Sequence, residues 1–533
     1  MSFGFWERNF KIILGLTIVG LAFLAFFHRF FQDDAYISLR YADNLVRGWG
    51  LVWKKGERVE GYTNFLWTLL LSIPLYFKIN PIHFSWGLGI IFFILNLFFT
   101  FKLSLLVLKF RWVSYLTVLF LGLNFTFSSY ATGGLETSLQ SFLFTLCSYL
   151  FLRMFVSRNW SFSDLLTLSF FSALAVLTRL DSLILVAVLF LISIVSLIKK
   201  SDESKKIFKL SCLLLPFLLL VGFWLAWKVF YYGDILPNTF YAKVSLTTSW
   251  VRGLFYLYAF SVYYWLLIFP FLAILFIKKI RKDSNLLVIL SIVFLWLLYI
   301  IKVGGDFMEF RFLVPILPLI FIFIFWIIQN LFKANFTYPT LIILAVFGAW
   351  GFFFPFSYIN EIESVADLQG HLKKPEENWE QVGKVLGDNF FLDPNMVIAV
   401  APAGAIPYFS HLKTVDMLGL NDRWIAKEGF NVSERPGHQK IATLEYLLNK
   451  KVNLVIGHPS LQKNTKKYLR DYSLKNLNNF FIFPVKSRDQ LVGKKIINIP
   501  INSEYKLPVL YLTPSDFIDQ AIKKNNWEID DLY

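Results

Sequence analysis

Residues 31–45 read Phe31-Gln32-Asp33-Asp34-Ala35-Tyr36-Ile37-Ser38-Leu39-Arg40-Tyr41-Ala42-Asp43-Asn44-Leu45. An apolar run, 12–27, precedes them, behind Arg8 and Lys11. No small-x-small site follows that run; His28-Arg29-Phe30-Phe31 does, so it is expected to stay as an uncleaved anchor with its N-terminus inside. Ile37, Tyr41, Asn44 and Leu45 recur at helical spacing. This predicts a short helix at the membrane interface with Asp33 and Asp34 at its N-terminus, where carboxylates are favoured. Adjacent acids raise each other's pKa, and apolar surroundings raise it further. A carboxylate so placed can serve as a general base; the plainer reading is a helix cap beside a solvated charge.

Outward from this stretch the composition is that of a membrane protein. Of 533 residues, 56% are hydrophobic, 19% aromatic and only 17% charged. Soluble domains carry about 25% charged residues. The mean hydropathy is +0.56. Sixty Phe and 17 Trp argue for many spans and exclude a disordered chain, a coiled coil, a collagen or an ordinary cytosolic enzyme. Cys147 and Cys212 both sit in apolar runs, which excludes a disulfide framework and a Cys-based zinc site. Residues 1–356 hold 30 Lys/Arg against 15 Asp/Glu, whereas 357–533 hold 22 against 21. The first part reads as membrane and the second as a soluble domain. The positive excess suits cytoplasmic loops, lipid headgroups and phosphates; no nucleic-acid partner is expected.

Basic loops orient the chain. Lys199–Lys206 and Lys278–Lys282 read as cytoplasmic. Counting spans from them places loops 29–63 and 231–254, the segments 133–137 and 304–311, and the C-terminal domain outside. Run 65–77 is short and contains Pro74, so it is expected to be a half-helix joining 85–107 in one crossing. Runs 112–130, 137–152, 164–180, 183–198, 210–230, 256–277, 285–301, 312–331 and 340–356 complete about 11 spans.

The outer segments hold the polar groups. Residues 50–67, GLVWKKGERVEGYTNFLW, combine interfacial Trp53 and Trp67 with Glu57, Arg58, Glu60, Tyr62 and Asn64, more polar groups than anchoring needs. Glu136, in GGLET at 133–137, reads either as a helix cap or as a ligand for substrate hydroxyls. Arg179 and Asp181, in TRLDS at 178–182, are either a structural ion pair or functional charges. Asn238, Tyr241 and Lys243 lie in 231–254, where a lysine can meet a lipid phosphate or snorkel. Asp306, Glu309 and Arg311 flank the Gly304-Gly305 turn, and Arg311 can clamp phosphate bidentately; no GK[ST] follows, so this is no P-loop. In the tail, strand-like 396–400 and 452–456 and helix-like 439–450 predict a small α/β domain, with His438 a candidate for acceptor contact.

Taken together, DDAYISLRYADNL, GLVWKKGERVEGYTNFLW, GGLET, YYGDILPNTFYAK, GGDFMEFRFLVPILP and AGAIPYFS…DMLGLND resemble the GT-C superfamily of membrane glycosyltransferases. The branch is the one that includes the terminal arabinofuranosyltransferases of mycobacterial cell-wall arabinan. The likeness runs from about residue 10 to 440, with Leu180 where that family usually has Pro. It implies a polytopic α-helical GT-C fold with an external soluble α/β domain, in a bacterial plasma membrane. It further implies a polyprenyl-phosphate sugar donor, an envelope glycan or glycolipid acceptor, and inverting transfer at the outer face. Asp33 or Asp34 is then the expected base, the former slightly favoured. Tyr36, Arg40, Arg58, Glu60, Tyr62, Asn64, Glu136, Arg179, Asp181, Asn238, Tyr241, Lys243, Asp306, Arg311 and His438 are the expected substrate-binding residues. No cofactor is expected, and divalent-metal assistance stays open, as does the sugar. Two other classes compete. A transporter or flippase would show midplane charges and repeats. A glycan polymerase or ligase would carry its long external loop late in the chain.

Overall fold

Caps written into the sequence start and stop the helices of the bundle. Asn80 accepts the backbone N–H groups of Ile82 and His83 on its side chain, and Pro81 fills the first turn, which starts the helix Pro81–Ser104. Ser161 and Asp283 cap Phe162–Thr178 and Ser284–Val303 in the same way. Gly304, left-handed at φ 83°, stops the latter. The computed structural model describes residues 3–200, 203–243, 250–332, 348–432, 435, 437–464, 477, 481, 484–485 and 487–532.

Among the described residues, seven helices are long and apolar enough to cross a membrane. Trp250–Tyr263 and Ile268–Leu275, a pair bent by 85°, make either an eighth, broken span or a re-entrant loop. Phe65–Tyr76, Arg111–Leu123 and Phe162–Thr178 are apolar but shorter. The last of these rises only about 26 Å, less than the ~30 Å hydrocarbon core. The expectation of about 11 crossings thus corresponds to seven or eight full-length spans plus shorter helices. Run 112–130 breaks at Asn124, whose side chain caps the next helix, Phe125–Ser129. Run 65–77 is a separate helix with Pro74 inside it. Residues 340–347 of run 340–356 and residues 244–249 of loop 231–254 lie outside the described residues.

The helix Asp33–Val46 forms where the periodicity placed it, with both acids in its first turn and most of its length buried. It lies between the bundle and the C-terminal domain. That domain carries a mixed sheet with strands β1 (Val397–Val400), β2 (Lys413–Asp416), β5 (Leu454–Gly457), β6 (Gln462–Lys463), β7 (Lys495–Pro500), β8 (Tyr505–Tyr511) and β9 (Glu528–Asp531). β3 (Phe430–Asn431) and β4 (Lys440–Ile441) pair separately. The sheet order is β2-β1-β5-β8-β7-β9, with β6 also on β8; β2, β1 and β5 run parallel and the others antiparallel. Strand alternation divides the core. Ile398, Val400, Leu454 and Ile456 face a cluster continuous with the bundle. Ala399 and Val455 face a second cluster with Ile425 and Leu447. One face of the sheet is therefore built into the membrane domain's own core.

Candidate active site

The two acids that open the helix Asp33–Val46 have different surroundings. Asp33 Oδ1 accepts from Ala405 N at 2.7 Å and Oδ2 from Gly404 N at 3.1 Å. Both oxygens are thus held by the C-terminal domain. Gly404 has to be glycine here, because a Cβ would collide with the Asp33 backbone oxygen and carboxyl. Burial pushes the Asp33 carboxyl up to about 7, with Asp34 adding to the rise and the Ala405 N–H and His371 opposing it. Asp34 is only partly buried and, among the described residues, makes no hydrogen bond or ion pair. Burial raises its pKa too, against the pull of Lys243 and Arg311 and with the push of Asp306 and Glu363. Of the pair, Asp33 has both oxygens engaged by backbone donors, whereas neither oxygen of Asp34 is bonded among the described residues.

Two cations act on it electrostatically. Arg311 follows the Gly304-Gly305 turn, in which Gly305 (φ 76°) lies against the Tyr256 ring. Its Nε donates to Asp306 Oδ2 at 2.7 Å, and Asp306 is itself fixed by the Phe307 N–H at 2.9 Å. The Nη1 and Nη2 groups of Arg311 have no partner among the described residues. Lys243 ends the helix Asn238–Lys243 and forms no ion pair among the described residues; Asp34 is the strongest negative charge acting on it. Burial, with Arg311 nearby, lowers its pKa.

Arg179 is not free in the same sense. Its Nη2 meets Asp181 Oδ2 and its Nη1 meets Glu136 Oε1, both at 2.8 Å, and its Nε also donates to Asp181. Glu136 Oε2 accepts from Asn64, whose Oδ1 accepts from Ser38 and Thr68. Gln140 donates to Asp181 at 2.7 Å. This chain of bonds ties loop 29–63 to three helices. Arg179 and Arg311 both lie over the Phe312 ring, at 5.6 and 5.3 Å. The cavity they share is about 10 Å³, the room of one water. A phosphate does not fit between them as they stand.

The other expected substrate ligands are placed elsewhere. Tyr36 is fully buried and donates to Glu380 at 2.8 Å. Arg40 donates to the Trp53 and Leu412 carbonyls and stacks on Trp53. Glu60 pairs with the buried Lys228 at 2.9 Å, and Tyr62 meets the Tyr232 hydroxyl at 3.1 Å. Asn238 donates to the Gly419, Leu420 and Asp422 carbonyls. Tyr241 lies under Lys427, and His438 meets the edge of Phe307. Arg58 stacks on Tyr231 at a separate cleft. Tyr36, Arg40, Asn238 and Tyr241 dock loop 29–63 and loop 231–254 onto the C-terminal domain.

Sequence reasoning missed Lys228, although a lone lysine inside run 210–230 was a visible signal. It also missed the cluster in which Glu363 pairs with His371 and Arg435, while His371 pairs with Glu377. Nothing in the ordinary composition of the tail marks that cluster. Among the described residues no group of His, Cys, Asp and Glu is placed to hold a metal ion.

With this geometry in hand, the comparisons with known proteins bear on the fold. A family model described as a domain of unknown function (DUF8728) matches residues 366–495. No curated protein matches the sequence. Among solved structures, ArnT from Cupriavidus metallidurans in the apo state superposes with a TM-score of 0.55 at 11% identity, covering 96% of this chain and 100% of that one. The same protein bound to undecaprenyl phosphate gives 0.51 at 12%, covering 76% and 85%. The Archaeoglobus fulgidus oligosaccharyltransferase in the apo form gives 0.51 at 10%, covering 94% and 74%. The chain therefore has a GT-C fold: a polytopic helical membrane domain with a C-terminal sheet-containing domain.

Proposed function

We propose that the chain is an inverting glycosyltransferase that moves a sugar from a polyprenyl-phosphate donor to an envelope glycan or glycolipid, at the outer face of a bacterial plasma membrane. One observation carries the reading. Asp34 carries a carboxylate that makes no bond among the described residues and lies in the field of Lys243 and of Arg311, whose two Nη groups likewise have no hydrogen-bond partner among the described residues. The fold supports it, since a structure of ArnT is bound to undecaprenyl phosphate. The resemblance to arabinofuranosyltransferases makes a pentofuranose one candidate sugar.

In the proposed step, Asp34 removes the proton of the acceptor hydroxyl as that oxygen attacks the anomeric carbon. The bond from that carbon to the phosphate oxygen breaks, and its electron pair leaves with the phosphate. Lys243 and Arg311 stabilise the charge that develops there. Asp34 ends as the carboxylic acid and the anomeric configuration inverts. Asp33, held on Gly404 and Ala405, positions the helix turn that carries Asp34. The test is to incubate the purified full chain with a panel of polyprenyl-phosphate sugars and glycan acceptors. Release of free polyprenyl phosphate and a product of inverted configuration by NMR are expected. No release from any donor, or retained configuration, refutes the proposal.

A further inference from the structure

A second cleft, of about 520 Å³, opens between residues 57–59 and the C-terminal domain. That size is ordinary for a ligand site. Its floor is aromatic. Trp424 stacks on Tyr446 with ring centroids 4.2 Å apart and planes only 6° from parallel. Tyr446 is fixed in turn: its hydroxyl donates to both oxygens of Asp422, at 3.0 and 2.9 Å, and Lys450 lies over its ring. Asp422 also caps the helix Arg423–Glu428 that carries Trp424. The Trp424 ring is thus held from below and remains 39% exposed. A flat apolar face that is rigid before binding loses little entropy when it is covered.

The rim is polar with both signs. Arg58, Arg423, Lys427 and Lys450 line it together with Glu57, Asp422 and Glu428. Three carboxylates oppose a polyanion, and four cations oppose a polycation. Donors and acceptors mixed around a stacking face match a ligand dense in hydroxyls, each of which donates and accepts. We infer that the cleft is a binding subsite for a neutral carbohydrate chain.

Its position gives the carbohydrate a role. Lys427 lies over Tyr241 and reaches Asp234 at 3.3 Å, so the cleft wall leans on loop 231–254. Asn238 is tied to the carbonyl of Asp422 at the cleft. From there the helix Asn238–Lys243 rises about 9 Å to Lys243 beside Asp34. One short helix therefore spans from cleft to candidate active site. An oligosaccharide lying on Trp424 is thus one short helix away from the proposed base. The subsite holds sugar units set back from the reacting hydroxyl, and the acceptor is a glycan of several residues. The word acceptor rests on the transferase reading; carbohydrate binding in the cleft does not.

The experiment uses the full chain in detergent and saturation-transfer NMR with neutral hexose and pentose oligosaccharides of one to six units, beside peptides of similar length. Oligosaccharides of three or more units are expected to bind and monosaccharides to bind far more weakly. Trp424→Ala should weaken binding roughly tenfold, and Trp424→Phe, which keeps a stacking face, should restore most of it. Asp34→Asn should bind like the wild type, which separates this site from the chemistry. In transfer assays Trp424→Ala should raise KM for long acceptors and leave kcat little changed. Absence of binding by every oligosaccharide, binding indifferent to Trp424→Ala, or preference for the peptides overturns the inference. Failure of transfer with carbohydrate binding intact refutes the transferase reading instead.

Discussion

Replacing each acid of the pair with its amide should separate the anchor from the base. In Asp33→Asn a single oxygen faces the two backbone donors that now approach at 2.7 and 3.1 Å. One bond is lost, and an amide N–H is turned toward a backbone N–H. A buried donor left unsatisfied costs about 1–3 kcal/mol. Because the carboxyl titrates at about 7, only about half of it is charged at neutral pH, and the loss falls in the lower part of that range. In thermal unfolding of the full chain in detergent, Asp33→Asn is expected to lower Tm. Gly404→Ala should lower it as well, since the added methyl meets Asp33. Asp34→Asn removes no hydrogen bond among the described residues, so Tm should hold while transfer falls by about 10²–10⁴-fold. The wild-type rate should decline with acidity, because a protonated Asp34 is no base. Burial lifts its pKa, so the decline begins at higher pH than for an exposed aspartate. Asp34→Asn with near wild-type turnover, or Asp33→Asn with unchanged Tm and no activity, refutes this division of labour.

Arg311→Gln and Lys243→Gln should each slow transfer about 10- to 150-fold, and Arg311→Lys should not restore the rate, because an ammonium lacks the planar fork. Arg179→Gln should instead unfold the chain at lower temperature, since it leaves Glu136 and Asp181 buried without their partner, a loss of about 3–5 kcal/mol; unchanged Tm with lost donor affinity would reverse these roles. His371 gives a pH signature: burial lowers its pKa, but Glu363 and Glu377 outweigh that and hold it at about 9 against 6.5. The folded chain then binds the extra proton between those values, so stability is full below pH 6.5 and falls as pH rises toward 9, by at most about 3 kcal/mol. His371→Gln should flatten that slope in urea or thermal titrations; a slope unchanged by the variant would exclude the cluster as its source.

The acidic pair, the Gly304-Gly305 turn and Lys243 are legible in the sequence because each breaks a local pattern at the end of an apolar run. What distinguishes Asp33 from Asp34 is not legible. It depends on Gly404 and Ala405, some 370 residues away along the chain. Tyr36, Arg40, Tyr62 and Asn238 stand out by polar density, yet their partners are carbonyls, rings and side chains of the same chain. No residue type announces a carbonyl partner. Arg179 and Asp181 were readable as a pair from their spacing, and Glu136 completes it from 43 residues away. Hydropathy alone shows neither the break at Asn124 nor the 85° bend after Tyr263.

The latch on Asp33 has a mechanical consequence. Asp33 and Asp34 share one peptide unit, so the C-terminal domain holds a short lever whose other arm is the proposed base. Tilting that domain away from the bundle would swing the carboxylate out of line with Arg311, and would draw Lys243 along with it, because Asn238 ties the Lys243 helix to the same domain. A small molecule wedged at the Gly404 seam would therefore silence the chain without resembling either substrate, as a pin drawn from a hinge stops a door that is otherwise whole.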